Sequence, residues 1–169
     1  YLEAIEILIK YKKEQFKDTG ATDIFASDQI KKFYMSWINN GKIDLEVNLS
    51  VLRFNNEIIA AHWGLIYQNT FYYLIPSYDK SMGIYSPGRL LMNYLIEESI
   101  KKKLEIFDLT IGAEEYKKKY LTKENNIYYV LKLISYKGLI FYMYTYILMR
   151  AKSSSILKSF IRRLKKIIV

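Results

Sequence analysis

The residues with the clearest chemical potential lie at the start of one helix. In the stretch YSPGRLLMNYLIEESIKKK (Tyr85 to Lys103), Ser86 suits the N-cap and Pro87 the first helical position, where a missing N–H costs nothing. Gly88 places no side chain over the helix end, so the amides of Gly88, Arg89 and Leu90 are expected to point outward at the positive end of the dipole. That arrangement binds phosphate, and the Arg89 guanidinium can reach a second one. The tripeptide alone also fits a simple well-capped helix start. Its place after a strand that leads into a crossover favours the ligand site, because α/β sheets hold phosphorylated ligands where strand ends face helix N-termini. The other chemical candidate is His62, the single histidine. In IIAAHWGLIY it shares a face with Ile58, Ala60, Gly64 and Ile66, and the small neighbours leave room beside the imidazole. It reads either as a base or orienting group facing a cleft, or as a packed, hydrogen-bonded histidine on a sheet.

The elements that must position these groups follow from periodicity. Tyr1 to Phe16 reads as a helix with Leu2, Ile5, Leu8 and Ile9 on one face. A second helix is expected from Asp28, as N-cap, to Ile38, with Ile30, Phe33, Tyr34 and Trp37 as its face; the NNGK stretch at residues 39–42 ends it. The period then becomes alternating. LEVNLSVLRF, IIAAHWGLIY and FYYLIPSYD read as three strands joined by tight turns, an antiparallel meander. Pro76, near the end of the third, weakens pairing on one side. The helix after Ser86 has Met92, Ile96, Ile100 and Leu104 as its buried side. LEIFDLTIG reads as a strand, AEEYKKKYL as a short helix and IYYVLKLISY as a last strand. The strands flanking the central helix have the lengths for one βαβ crossover in a mixed sheet. The expected class is therefore α/β, a mixed and mostly antiparallel sheet flanked by helices.

Two parts are expected: a domain over residues 1–137 and a basic, amphipathic helical tail over residues 138–169. In the tail, Ile156, Phe160, Leu164 and Ile167 or Ile168 lie on one side, with Lys158, Arg162, Arg163, Lys165 and Lys166 elsewhere. Such a helix either rests on an anionic membrane surface or docks its apolar side on protein, and the aromatic stretch GLIFYMYTYILM favours docking because it needs burial.

Composition confines the function classes. The chain has 169 residues, enough for a full core, and half of them are apolar. Without cysteine there are no disulfides and no Cys-based zinc sites, and one histidine excludes a His-rich metal site, so no metal is expected. A cysteine-free chain fits a reducing, cytoplasmic setting, and membrane association through the tail is the alternative to its docking on protein. The net charge of +9 attracts anions: nucleic acid, an acidic membrane or a phosphorylated cofactor. Scattered lysines and the lack of a helix-turn-helix or zinc signature argue against double-stranded DNA. The longest apolar run, residues 138–149, is about half of what a bilayer needs. The chain begins with Tyr1 rather than Met, which reads as a piece of a longer or processed protein.

YSPGRLLMNYLIEESIKKKLEIFDLTIGAEEYKKKY resembles the signature of the CelD-like acetyltransferases, part of the GNAT superfamily of acyl-CoA transferases. Members carry Y-S-P-G-x-L-L, a helix, then F-D-x-x-x-G-D-E-x-Y-K-x-x-W, and AAHWGLIY with YYLIPSYD resembles the strand pair before it. The resemblance runs from about Leu45 to Tyr120. It implies a GNAT fold with acyl-CoA wedged between the parallel strands at residues 71–77 and 104–110. The pantetheine would pair with the backbone of Ile75, Ser77 and Tyr78, and the pyrophosphate would sit on the amides of Tyr85, Ser86, Gly88, Arg89 and Leu90. The chain departs from the pattern at Ala113, Glu115 and Tyr120. The resemblance further implies a preceding half that is absent from this sequence.

Acyl transfer from a thioester to an amine needs a base for the amine and an acid for the leaving thiolate. The resemblance makes His62 a base, and Asp108 and Glu114 either bases or holders of the amine. Tyr116 becomes the acid, and Lys117, with Tyr116, matches the family's Y-K pair near the substrate. Their plainer readings are a favourable charge in a helix's first turn for Glu114, packing for Tyr116 and a solvated basic face for the lysines. The expected reaction is acyl-CoA-dependent acylation of an amine or sugar-derived acceptor, in envelope or exopolysaccharide synthesis. The rivals are a FemAB-like transferase using charged tRNA, and a truncated, non-catalytic module that binds a membrane or protein partner.

Overall fold

The computed structural model of the chain describes residues 1–37, 45–112, 114–128 and 135–153. They fall into two units, Tyr1–Lys119 and Tyr120–Val169. Two turns set the sheet of the first. Asn55 and Asn56 both take positive φ (48° and 67°), as do Gln68 and Asn69 (46° and 57°). Two consecutive left-handed residues make the tight turn whose twist matches the flanking strands. These turns join β1 (Leu45–Phe54), β2 (Glu57–Tyr67) and β3 (Thr70–Tyr78) into the antiparallel meander that the alternation predicts. The helix α3 (Pro87–Lys101) then carries the chain back, so that β4 (Ile106–Asp108) lies parallel to β3 in the order β1-β2-β3-β4. The βαβ crossover stands where the spacing placed it, and the sheet is mixed, as expected.

One layer of core joins the sheet to α1 (Leu2–Thr19) and α2 (Asp28–Trp37). Leu8 and Phe25 meet Ile58, Ala61, Trp63 and Ile75, with Ile30, Tyr34 and Trp37 at the margin. Burying side chains of this size is worth roughly 1.5–3 kcal/mol each. The Tyr11 hydroxyl donates to Ile58 O at 2.7 Å and ties α1 to β2. The face of α1 is Ile5, Leu8 and Tyr11; Leu2, expected there, is exposed. Asp28 is the first residue of α2 and not its cap, and it pairs with Lys31 at 2.8 Å. Phe25, fully buried in this layer, sits in a short 3₁₀ turn whose N-cap is Asp23, with Asp23 Oδ1 accepting from Phe25 N–H.

Alternation turns Ala60 and His62 to the other face of β2. There His62 joins an aromatic group with Phe71, Tyr73 and Phe107. α3 packs on β2 and β3 and buries Pro87, Leu91, Met92, Leu95 and Ser99. The expected stripe of Met92, Ile96, Ile100 and Leu104 fails at its end, where Ile100 is 70% exposed. A spacing of four gains about 40° per step on a helix of 3.6 residues per turn, so the buried line must mix threes and fours.

β3 contains the feature that shapes the site. Trp63 opposes Ile75 while Leu65 opposes Tyr72, so β3 carries one residue more than β2 in that interval. The bulge turns the strand over. Phe71 and Tyr73 lie with His62, whereas Ile75 beyond the bulge belongs to the Leu8–Phe25–Trp63 layer.

The end of the chain departs from expectation. The helix expected over residues 113–121 is only a 3₁₀ turn, Lys117–Lys119, since so short a segment cannot sustain a helix without an apolar face to pack. Ile127 and Tyr128, expected in a last strand, have no regular structure, and Tyr136 opens the helix α4 (Tyr136–Ser153). Ser135 caps it, its hydroxyl oxygen accepting from Gly138 N–H at 3.2 Å. Residues 38–44, which include the expected end of α2, Ala113, the remainder of that strand (129–134) and the tail beyond Ser153 lie outside the described residues.

Candidate active site

The site is built where β3 and β4 part. Their ladder covers only Thr70 to Tyr72 against Ile106 to Asp108. Asp108 then accepts the Thr110 amide on its carboxylate at 2.6 Å, and Thr110 turns left-handed (φ 59°). The Thr110 hydroxyl donates to Tyr73 O at 3.2 Å, a link just past the ladder. Asp108 is thereby spent on holding the turn that opens the wedge.

Beyond Tyr73, β3 keeps β2 on one edge. Asp79 N–H closes on Ile59 O at 2.9 Å, so alternation also turns the backbone of Ser77 and Ile75 toward β2, and that of Pro76 and Tyr78 toward the open edge. The side chains of Ile75 and Ser77 are buried. Of the segment expected to meet pantetheine, Pro76 and Tyr78 therefore present the open backbone. Pro76 offers only its carbonyl, a proline being tolerated where no ladder bond is needed.

That carbonyl already has a partner, Lys12 Nζ of α1 at 3.0 Å; the same ammonium reaches Gln15 Oε1 at 3.3 Å. Burial lowers the pKa of Lys12, and the charge of Glu114 opposes the shift. Sequence reasoning missed Lys12, although the signal was there. At 100° per residue it lies inside the apolar stripe of Ile5, Leu8, Ile9 and Phe16, where a lysine is out of place.

Glu114 faces the same region. Its carboxylate pairs with Lys117 Nζ at 2.9 Å, and that buried lysine also donates to Ile111 O at 3.2 Å. Burial pushes Glu114 upward, but the Lys117 hydrogen bond and the charges of Lys117 and Lys12 outweigh it and hold the carboxyl below its usual range. Tyr116, half-buried, has its hydroxyl pKa raised by burial and then by the Glu114 charge, so it keeps its proton at neutral pH. The structure thus brings Glu114, Tyr116 and Lys117 together and adds Lys12.

His62 is placed elsewhere. Its ring is fully buried, stacked on Tyr73 (4.3 Å, 6°) and near Phe71 (5.6 Å), and neither ring nitrogen has a hydrogen-bond partner. Burial pushes its pKa down to about 3. A base must touch its proton donor, so the reading of His62 as a base in a cleft gives way to a packed histidine, though without the hydrogen bonds expected of one. Gly64 makes the packing possible: a Cβ there would lie 2.5 Å from both His62 Cε1 and Tyr72 O.

The helix start is also rearranged. A 3₁₀ turn, Lys80–Tyr85, runs into α3, and Ser86 joins the two in the left-handed conformation (φ 52°). Its hydroxyl does not cap the helix but accepts from Arg89 Nη2 at 2.9 Å. The amides of Arg89 and Leu90 turn inward onto Ser86 O at 3.0 and 3.1 Å, so among the three expected amides only that of Gly88 is not drawn back onto Ser86. Gly88 lies against Tyr78, where a Cβ would come 3.1 Å from the ring. The open edge of β3 therefore leads directly to this helix start. Around it Ile84, Tyr85, Leu90 and Tyr94 are exposed, an apolar apron beside the Arg89 charge.

A wedge lined by open backbone and ending at an anion-compatible helix start suits a long donor with an anionic portion. No group of residues able to hold a metal occurs among the described residues. A family model described as an acetyltransferase (GNAT) domain matches residues 2–118. No curated protein and no solved structure matches the chain.

Proposed function

The chain belongs to the GNAT acetyltransferase family, whose enzymes transfer acyl groups from acyl-CoA, and from that premise we propose how its own wedge binds the donor and serves the reaction. The observation that carries the reading is the open edge of β3 past the bulge, ending on Gly88. A thioester supplies an activated carbonyl that an amine can attack with loss of a thiolate. Pro76 O and the Tyr78 backbone would hold the amides of the pantetheine arm. Gly88 N–H and Arg89 would hold the pyrophosphate, and the exposed Tyr85, Leu90 and Tyr94 would pack on the nucleoside. Glu114, ionised at neutral pH, would hold the acceptor as its ammonium and take the proton that the amine must lose. Tyr116, still protonated, would give a proton to the departing sulfur. Lys117 would keep Glu114 in place.

The motif run from Tyr85 to Tyr120 supports assignment to the CelD-like branch, and with it an amine or sugar-derived acceptor in envelope or exopolysaccharide synthesis. The test is calorimetric titration of acetyl-CoA into the chain and into Gly88→Glu, which sets a negative side chain against the proposed pyrophosphate position. The wild-type chain is expected to bind saturably, and the variant to lose binding while keeping its circular dichroism. A folded wild-type chain that binds no acetyl-CoA overturns the reading.

A further inference from the structure

The net positive charge of the sequence is confined to its last part. Residues 1–124 carry 17 basic and 17 acidic side chains, whereas residues 125–169 carry nine basic ones and no acid, so the entire +9 lies there. The described helix of that region, α4, is apolar toward water. Leu139, Ile140, Met143, Tyr146 and Ile147 are each between 41% and 71% exposed. At 100° per residue these five fall within about 120° of the helix circumference, and the exposed Phe141 lies about 100° beyond that arc, so the apolar exposure extends past one face. The half-buried Tyr142 and Thr145 lie outside that arc, and Thr145 turns its hydroxyl onto the carbonyls of Phe141 and Tyr142. No helix among the described residues is long and apolar enough to cross a membrane.

We propose that α4 lies in the plane of an anionic membrane surface, with the Leu139–Ile147 face among the acyl chains, and that the acid-free, basic sequence of this segment supplies the attraction to lipid phosphates. The chemistry selects this occupant. An aliphatic face bounded by cationic, acid-free sequence matches the layered character of a lipid interface, apolar below and anionic above. A second copy of the chain would set one +9 segment against another. A nucleic acid would satisfy the charge and leave Leu139, Ile140, Met143 and Ile147 in water, since its surface offers phosphates and base faces rather than hydrocarbon. This inference concerns a different unit from the catalytic proposal and stands apart from it.

The test is sedimentation of the full chain with vesicles of phosphatidylcholine, alone and with added phosphatidylglycerol, at low and raised salt. Binding is expected to grow with the phosphatidylglycerol content and to weaken with salt. The double variant Ile140→Glu/Ile147→Glu is expected to lose at least about tenfold in vesicle affinity, because it puts charge on the buried face. Circular dichroism of the same variant reports whether the protein remains folded. No binding to either vesicle, equal binding to both, or binding unchanged by the double variant overturns the proposal. So does binding of an RNA homopolymer without vesicle binding.

Discussion

At the scale of single residues, His62 and Lys12 show opposite ways of treating a titratable group. His62 is sealed between aromatic rings with both nitrogens unpartnered. Its pKa is about 3 in the folded chain, against an ordinary 6.5. Because the unfolded chain binds the proton more readily, stability is full above pH 6.5 and falls as the pH drops toward 3, by up to about 1.4 kcal/mol per pH unit. Denaturant melts at pH 7 and pH 5 are expected to show this loss, and His62→Leu to flatten it. Lys12, its pKa lowered by burial, instead donates to Pro76 O at the edge of the wedge, and its charge acts to pull Glu114 downward. If Glu114 must be ionised to work, Lys12→Met raises its pKa and moves the acid limb of the kcat/KM profile to higher pH. A pH–rate profile of the variant checks this, and a profile unchanged from the wild type removes Lys12 from the reaction.

At the scale of elements, the buried line of α3 separates two residues that look alike in sequence. Leu95→Ala opens a cavity beneath β2 and β3 and is expected to cost about 2–4 kcal/mol, whereas Ile100→Ala, at a 70% exposed position, stays within about 0.5 kcal/mol. Chemical denaturation of the two variants decides it. The meander and the crossover were legible because β1, β2 and β3 are runs rich in β-branched and aromatic residues and because tight turns separate them. The Y-S-P-G segment pointed to the helix start, and Glu114, Tyr116 and Lys117 could be read as one group of candidates because they are close in sequence. What was not legible depends on contacts distant in sequence. The bulge that turns β3 over arises from its pairing with β2, and no local pattern marks it. The burial of His62 depends on Tyr73 and on the bare backbone of Gly64. The left-handed turn at Ser86, which withdraws two of the three expected amides, comes from the 3₁₀ turn before it.

At the scale of the whole molecule, charge and reactivity are kept in different places. A segment of zero net charge contains the wedge, and an acid-free one contains the exposed face of α4. Within the first unit, the two walls of the wedge are secured unequally. β3 is joined to β2 through a two-residue turn and a ladder running nearly its full length. β4 is joined by three residue pairs that bring together positions 36 apart in the chain, Thr70 and Ile106. Contacts that close so long a loop for so few bonds form late in folding and are released first when the molecule fluctuates. One wall is therefore fixed while the other breathes, and β4 can peel away without disturbing the meander. A protein built this way would admit a long guest by parting its own seam.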